Sequence, residues 1–287
     1  MCGCVRGNLG GKSCVLIKKM SAPFDHIAAP YDAAFPQGAV GQLQRKHIWA
    51  YLQHVIDRLP GLDILELHQG SDEDALLFGS HGFTLVATDV TEEVARITEP
   101  PSRQYSMPSK ISSQCLDPYH PEETLFDKHY HLIFSHTGGL NAMDPASLQR
   151  LLRQAATLLA PGGRLVAVVM PKLCLWEMLY FLITGRFRRI FRPWSARQSD
   201  GISPVLREFF YTPRQLKQLA RHEFEVVAIK PVGFALPPVC LENVFSPRKK
   251  LLKFLNRWEE RLRRFSFLAG MGDRYIIDLR KRAPRQR

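Results

Sequence analysis

No run of about eighteen uncharged apolar residues occurs in this chain, so no segment of it reads as a membrane-spanning helix. The opening segment holds Lys12, Lys18 and Lys19 but lacks a continuous apolar core, which argues against a secretory signal and points to the cytoplasm. Cysteine is sparse and poorly spaced. Cys2, Cys4 and Cys14 crowd near the start, while Cys115, Cys174 and Cys240 stand far apart. Neither set has zinc-ligand spacing, and a disulfide framework is not expected in a chain of 287 residues. Acidic residues are few: 27 Asp and Glu face 39 Lys and Arg, for a net charge of +12. The excess is concentrated, with fourteen Lys and Arg against four Asp and Glu from Phe245 to Arg287. Such a face suits an acidic carrier protein, a membrane surface or nucleic acid, and equally a solvated amphipathic helix with a basic tail.

A phosphate loop is also missing. Gly7-Asn8-Leu9-Gly10-Gly11-Lys12-Ser13 invites that reading, but the first glycine of the motif would fall on Arg6 and no buried strand precedes it. Residues 1–20 are read as a disordered or extra leader, and residues 21–287 as one domain. Within that domain the chemistry-bearing stretch is Leu62-Asp63-Ile64-Leu65-Glu66-Leu67-His68-Gln69-Gly70-Ser71-Asp72. It predicts a short buried strand, a tight turn and a helix start near 73–80. Phe83–Thr88 predicts a second strand, ending in Asp89. A strand-turn-helix followed by a strand-terminal acid holds a nucleoside beside a helix N-terminus. The turn keeps only Gly70 where dinucleotide sites carry three glycines, which disfavours a nicotinamide dehydrogenase.

Further along, apolar spacing predicts a helix over 42–59, stopped by Pro60-Gly61. The segment 99–125 reads as loop with one short strand near Ser113–Leu116. His131–Ser135 predicts a buried strand, Pro145–Leu159 a helix, Ala160–Gly163 a turn and Arg164–Met170 a Val-rich strand. Leu173–Ile183 is a strongly apolar helix, followed by Arg186, Arg188, Arg189 and Arg192 among aromatic residues. Val205–Tyr211 alternates like a strand, 212–221 is helical, and Phe224–Lys230 is a strand. Arg248–Arg264 is a basic amphipathic helix, and Arg274–Leu279 is a last strand. Strands alternating with helices predict an α/β domain with a doubly wound, mostly parallel sheet, closed by a late antiparallel pair. The segments 172–204 and 231–270 are expected to form a helical lobe on the substrate side.

Several blocks in order carry a family likeness. Phe24-Asp25-His26-Ile27-Ala28-Ala29-Pro30-Tyr31-Asp32-Ala33-Ala34-Phe35 opens the series. Leu65-Glu66-Leu67 through Ala75, Ala87-Thr88-Asp89, Phe134-Ser135-His136-Thr137-Gly138-Gly139-Leu140-Asn141 and Leu158-Leu159-Ala160-Pro161-Gly162-Gly163-Arg164-Leu165 follow. Gly233–Pro238 and Gly272–Ile276 extend the set. Together the chain resembles small-molecule class I S-adenosylmethionine-dependent methyltransferases of bacteria. The resemblance implies a Rossmann-like methyltransferase fold with S-adenosylmethionine as cofactor, held by Tyr31, Glu66, His68, Gly70, Ser71, Asp72, Asp89, Val90, Asp117 and Ser135. It implies methyl transfer to O or N of a small, fairly apolar biosynthetic intermediate, possibly presented by a carrier protein. His136 is the candidate proton acceptor, and Asn141, Trp176 and Tyr211 are candidate substrate contacts.

The family has glycines where this chain has His68 and Asp72. A ring at 68 enters the path of the methionine moiety, and a carboxylate at 72 occupies the helix N-terminus that would receive the cofactor's own carboxylate. A methyltransferase fold that has lost methyl transfer is therefore the alternative. An RNA-modifying enzyme rests only on the basic C-terminal third, without a recognisable RNA-binding module, and nucleic acid is disfavoured as a partner. Peripheral membrane contact through the basic face stays open.

Overall fold

Ile64, Leu65 and Leu67 are almost wholly shielded in β1 (Asp63–Leu67), as a strand covered on both faces requires. The structure is a computed structural model that describes residues 38–61, 63–67, 78, 83–89, 111–115, 129–136, 138–183 and 209–283. Parallel to β1 run β2 (Thr84–Asp89), β3 (Ile111–Cys115), β4 (Tyr130–Ser135) and β5 (Leu159–Val169). Two more strands, β6 (Phe224–Val232) and β7 (Arg274–Lys281), complete a seven-stranded sheet in the order β3-β2-β1-β4-β5-β7-β6. β7 is antiparallel to both of its neighbours. This is the expected doubly wound sheet with a late antiparallel pair.

Side-chain alternation splits the core in two. Leu65, Leu67 and Ile133 pack with Leu148, Leu151 and Leu152 of α2 (Pro145–Leu158). Ile64, Leu132 and Phe134 pack with Ile48, Leu52 and Val55 of α1 (Ala39–Ile56). Each such leucine or isoleucine contributes about 1.5–3 kcal/mol by leaving water. α2 starts where it does because Asp144 accepts from the backbone N–H of Ala146 at 2.9 Å and Ser147 at 3.2 Å, and Pro145 fills the first helical position. The Ser147 hydroxyl also donates to Asp144, and these bonds hold its carboxyl below the usual range.

Three sequence readings shift. The Ala160–Gly163 turn is absorbed into β5 as a bulge: Tyr130 pairs Leu159, then Leu132 pairs Arg164, with Gly162 at φ 75°. β6 runs on to Val232 through Pro231, which an edge strand tolerates. Phe209–Tyr211 is not a strand. Its amides make single bonds, Phe209 N–H to Asn141 O at 2.6 Å and Tyr211 N–H to Met170 O at 3.4 Å, rather than a ladder; residues 205–208 lie outside the described ones.

The remaining helices are α3 (Leu175–Ile183), α4 (Pro213–Ala220) and α5 (Lys249–Leu262). α4 carries a capping box between Thr212 and Gln215. α5 is bolted to α1 through His47, which is buried. The Arg263 guanidinium donates to His47 Nδ1 at 3.1 Å, so the ring's proton sits on Nε2 and is given to Asn256 Oδ1 at 2.8 Å. Burial first, and then the Arg263 charge, push the His47 pKa below 6.5, against the hydrogen bond to Asn256 and the attraction of Glu259 and Glu260. The neutral ring is thus the folded form. Its stability contribution should be complete above pH 6.5 and be lost as pH falls through the lowered folded value. Urea midpoints measured from pH 8 to pH 5 should show this fall, and His47→Gln should flatten it; an unchanged slope would remove His47 as its source.

Candidate active site

The strand order reverses between β1 and β4, and in open α/β sheets the crevice at that reversal, beyond the carboxyl ends of the strands, receives the ligand. Glu66 is the penultimate residue of β1, paired with Ala87 in β2 and Phe134 in β4, and it is fully buried. Asp89 ends β2 two positions beyond the Glu66 partner, which places its backbone at the same edge. Ser135 ends β4 opposite Leu67, and His136 follows it; both are buried. Among the described residues, the Ser135 hydroxyl has no hydrogen-bond partner. The His136 ring stands edge-on to Phe134 with centroids 5.8 Å apart, and Phe78 meets Phe134 from another side at 5.9 Å. Glu66 alternates onto the face of Ile64 and Ser135, paired with Leu67, onto the opposite face, so the buried carboxylate and the hydroxyl stand at the switch point on the two sides of the sheet.

Of the other expected contacts, Tyr31, His68, Gly70, Ser71, Asp72, Val90 and Asp117 lie outside the described residues. Asn141 and Tyr211 are placed differently from expectation. The Asn141 side chain donates to Met170 O at 3.2 Å and Phe209 O at 2.6 Å, and accepts from Met170 N–H at 3.0 Å. Its amide ties β5 to the extended segment rather than facing a substrate. Tyr211 is buried and its hydroxyl donates to Met143 O at 2.5 Å, while Tyr275 donates to the Tyr211 carbonyl at 2.9 Å. Tyr211 belongs to the core cluster with Tyr275, and burial raises its phenol well above the ordinary value. Trp176 is half-buried on α3; its indole N–H is spent on Phe234 O at 3.1 Å and its ring meets Phe245 edge-on at 5.3 Å. That ties α3 to the 233–245 segment. Cys174, close by, has its thiol pushed up to about 12 by burial.

Two carboxylates that the sequence reading passed over position the loops at this edge. Glu242 accepts from Val40 N–H at 3.0 Å and Gly41 N–H at 3.4 Å, capping α1 from the distant lobe. A Cβ at Gly38 would collide with that carboxylate. Glu259, buried on α5, accepts from the backbone N–H of Gly233, Phe234, Ala235 and Leu236. Its signal was available: Glu259 falls seven residues after Leu252, on the inward side of an otherwise basic helix.

A hollow of about 540 Å³ at the opposite end of the sheet is lined by Arg221, His222, Glu223, Lys281 and Arg282. Its cations are engaged with backbone carbonyls, Lys281 with Leu159 O and Arg282 with Phe224 O, so it is no rival to the switch point. No group of three or more His, Cys, Asp or Glu among the described residues has the arrangement of a metal site. No helix among them is long and apolar enough to cross a membrane.

Comparison with solved structures identifies the fold. The magnesium protoporphyrin IX methyltransferase of Synechocystis PCC 6803, solved with bound S-adenosylhomocysteine, superposes with a TM-score of 0.58 at 11% identity, covering 92% of this chain and 99% of that one. The fold is that of a class I methyltransferase. An S-adenosylmethionine-dependent methyltransferase of Methanosarcina mazei aligns at TM-score 0.53 and 15% identity, over 80% of this chain and 98% of its own. The N-methyltransferase NodS of Bradyrhizobium japonicum WM9, also solved with S-adenosylhomocysteine, aligns at 0.52 and 13%, over 87% and 91%. No family model matches the sequence, and no curated protein does either. The methyltransferase fold thus persists here with little sequence identity left.

Proposed function

We propose that this protein is an S-adenosylmethionine-dependent methyltransferase acting on O or N of a small, fairly apolar acceptor. The observation that carries the reading is the buried Glu66 at the switch point of a methyltransferase sheet, where the neighbouring strand β4 ends in the buried Ser135 and His136. A carboxylate at a ligand edge can accept from a cofactor's ribose hydroxyls, methionine ammonium or adenine amino group. Glu66, Ser135 and Asp89 would hold the cofactor at that edge. When bound, it supplies an electrophilic methyl group on a sulfonium. The chain's own share is alignment, exclusion of water and, for an acceptor hydroxyl or ammonium, removal of a proton. His136, at the ligand edge and shielded, is the residue placed to take that proton.

A second reading keeps the fold and drops the transfer. It is favoured by His68 and Asp72, which stand where the resembling enzymes have glycine. Titration calorimetry with S-adenosylhomocysteine separates the two. Binding should be seen, and Glu66→Gln should weaken it about ten-fold, the loss of one hydrogen bond to a charged group. His136→Asn should leave binding intact and slow transfer of labelled methyl groups to a panel of apolar alcohols and amines about 10²–10⁴-fold. A folded protein that ignores millimolar S-adenosylhomocysteine would establish the second reading.

A further inference from the structure

The segment between β6 and β7 leaves the sheet at the end where β5 finishes, because Val232 pairs Arg274 and Val169 pairs Tyr275. α5 therefore stands at the ligand edge. Its inward side is fixed by Glu259 to the 233–236 backbone and by Asn256 and Arg263 to His47. What remains faces water. At about 100° per residue, Leu251, Phe254 and Trp258 fall within roughly 60° of one another. They are 39%, 56% and 42% exposed. Lys250, Lys253, Arg257, Arg261 and Arg264 occupy the adjoining flank, all exposed. The only carboxylate outside the buried side of the helix is Glu260, which is engaged by Asn256 at 3.0 Å.

The apolar flank does not end with the helix. Phe265 is 43% exposed and Phe267 76%, and their rings lie 5.8 Å apart. Guanidinium groups lie over the rings, Arg261 over Trp258 at 5.6 Å and Arg264 over Phe265 at 5.9 Å. Cations held level with aromatic rings match the headgroup layer of a bilayer, where Trp and Phe bodies enter the acyl boundary and guanidinium groups stay with phosphates. We propose that α5 and the 265–267 turn dock this protein on an anionic lipid surface.

Charge complementarity and the form of the patch select this occupant. An acidic protein would need a concave partner surface fitted to the protruding Phe254 and Phe267 rings, whereas lipid deforms around them. A nucleic-acid backbone would engage the basic flank and leave Leu251, Phe254 and Phe267 in water. The rigid inward side matters too. Because α5 is held by buried polar bonds, its outer face is presented ready-made, and little ordering entropy opposes docking.

The test is co-sedimentation of the full chain with vesicles of phosphatidylcholine alone and of phosphatidylcholine with phosphatidylglycerol. Binding is expected only to the anionic vesicles, and it should weaken steeply with salt. Replacing Lys253 and Arg257 together by Gln should weaken it about five-fold per charge removed. Phe254→Ser with Phe267→Ser should weaken it without changing its salt slope. These side chains are exposed, so far-ultraviolet circular dichroism of the variants should match the parent protein. No binding to anionic vesicles at low salt would overturn the proposal, as would displacement from them by excess RNA. Neither outcome depends on cofactor binding, so this result stands apart from the calorimetric one.

Discussion

Glu259→Ala should destabilise the protein by about 3–5 kcal/mol, the range for removing one partner of a buried charge interaction. The carboxylate takes Gly233 N–H at 2.8 Å, Phe234 N–H at 3.4 Å, Ala235 N–H at 2.7 Å and Leu236 N–H at 3.1 Å, and Glu259 is 1% exposed. Alanine would leave those donors facing a dry cavity, each at a cost of about 1–3 kcal/mol where water cannot replace the oxygen. Gly233 compounds the effect. Its φ of 70° is adopted without penalty only by glycine, and a Cβ there would press against Asp273 and Gln44 at 2.8 Å. Glu259→Gln is the informative control. It keeps one acceptor oxygen but turns an NH2 group toward two of the backbone donors, so it should recover no more than half of the loss. Chemical denaturation reads both variants. A cost below about 1 kcal/mol for Glu259→Ala would mean that water reaches the cradle and that the buried geometry is not what holds it.

The contrast between Glu66 and Glu259 shows how much of the site was readable. Glu66 interrupts an unbroken apolar strand, and an acid in a strand covered on both faces stands out in sequence. Glu259 sits in a run where charged residues are the rule, and its partners lie 23 to 26 residues earlier in the chain. Asn141 and Tyr211 likewise have partners far along the chain. A polar residue just past a ligand-edge strand can face a ligand or bond a neighbouring backbone, and the choice is made by Met170 and Phe209, 29 and 68 residues away. Local pattern can put a residue on a buried face, as the spacing from Leu252 does for Glu259, but it cannot name a partner at that range. The fold was legible because burial on both faces and helix amphipathicity are local properties that recur along the chain, so β1, β2, β4 and β5 announced themselves. Val205–Tyr211 misled for a related reason. Alternation reports extended backbone, and membership of a sheet depends on a ladder partner that the segment does not have at 209–211.

Asp278 should be the second costly position, and the more instructive one. It lies mid-strand in β7, fully buried, between Val166 of β5 and Ala228 of β6. Tyr51 of α1 donates its hydroxyl to Asp278 Oδ2 at 2.5 Å, and the Arg164 guanidinium makes a two-pronged contact, Nε to Oδ1 at 2.9 Å and Nη2 to Oδ2. Burial and the Asp278 charge hold the Tyr51 phenol well above its ordinary value, so it stays a donor at any working pH. Asp278→Ala strands the Arg164 guanidinium, 14% exposed, in the sheet and should cost about 3–5 kcal/mol. Tyr51→Phe removes one hydrogen bond and should cost about 1.5–3 kcal/mol, since its acceptor is charged. The decisive variant removes the charges together. Desolvating an ion pair consumes most of what its attraction returns, so Asp278→Leu with Arg164→Met and Tyr51→Phe should recover most of the stability lost by Asp278→Ala. Urea midpoints for the set test this directly. If the triple variant is as unstable as Asp278→Ala, the three side chains contribute net stabilisation, and the desolvation argument fails at this site.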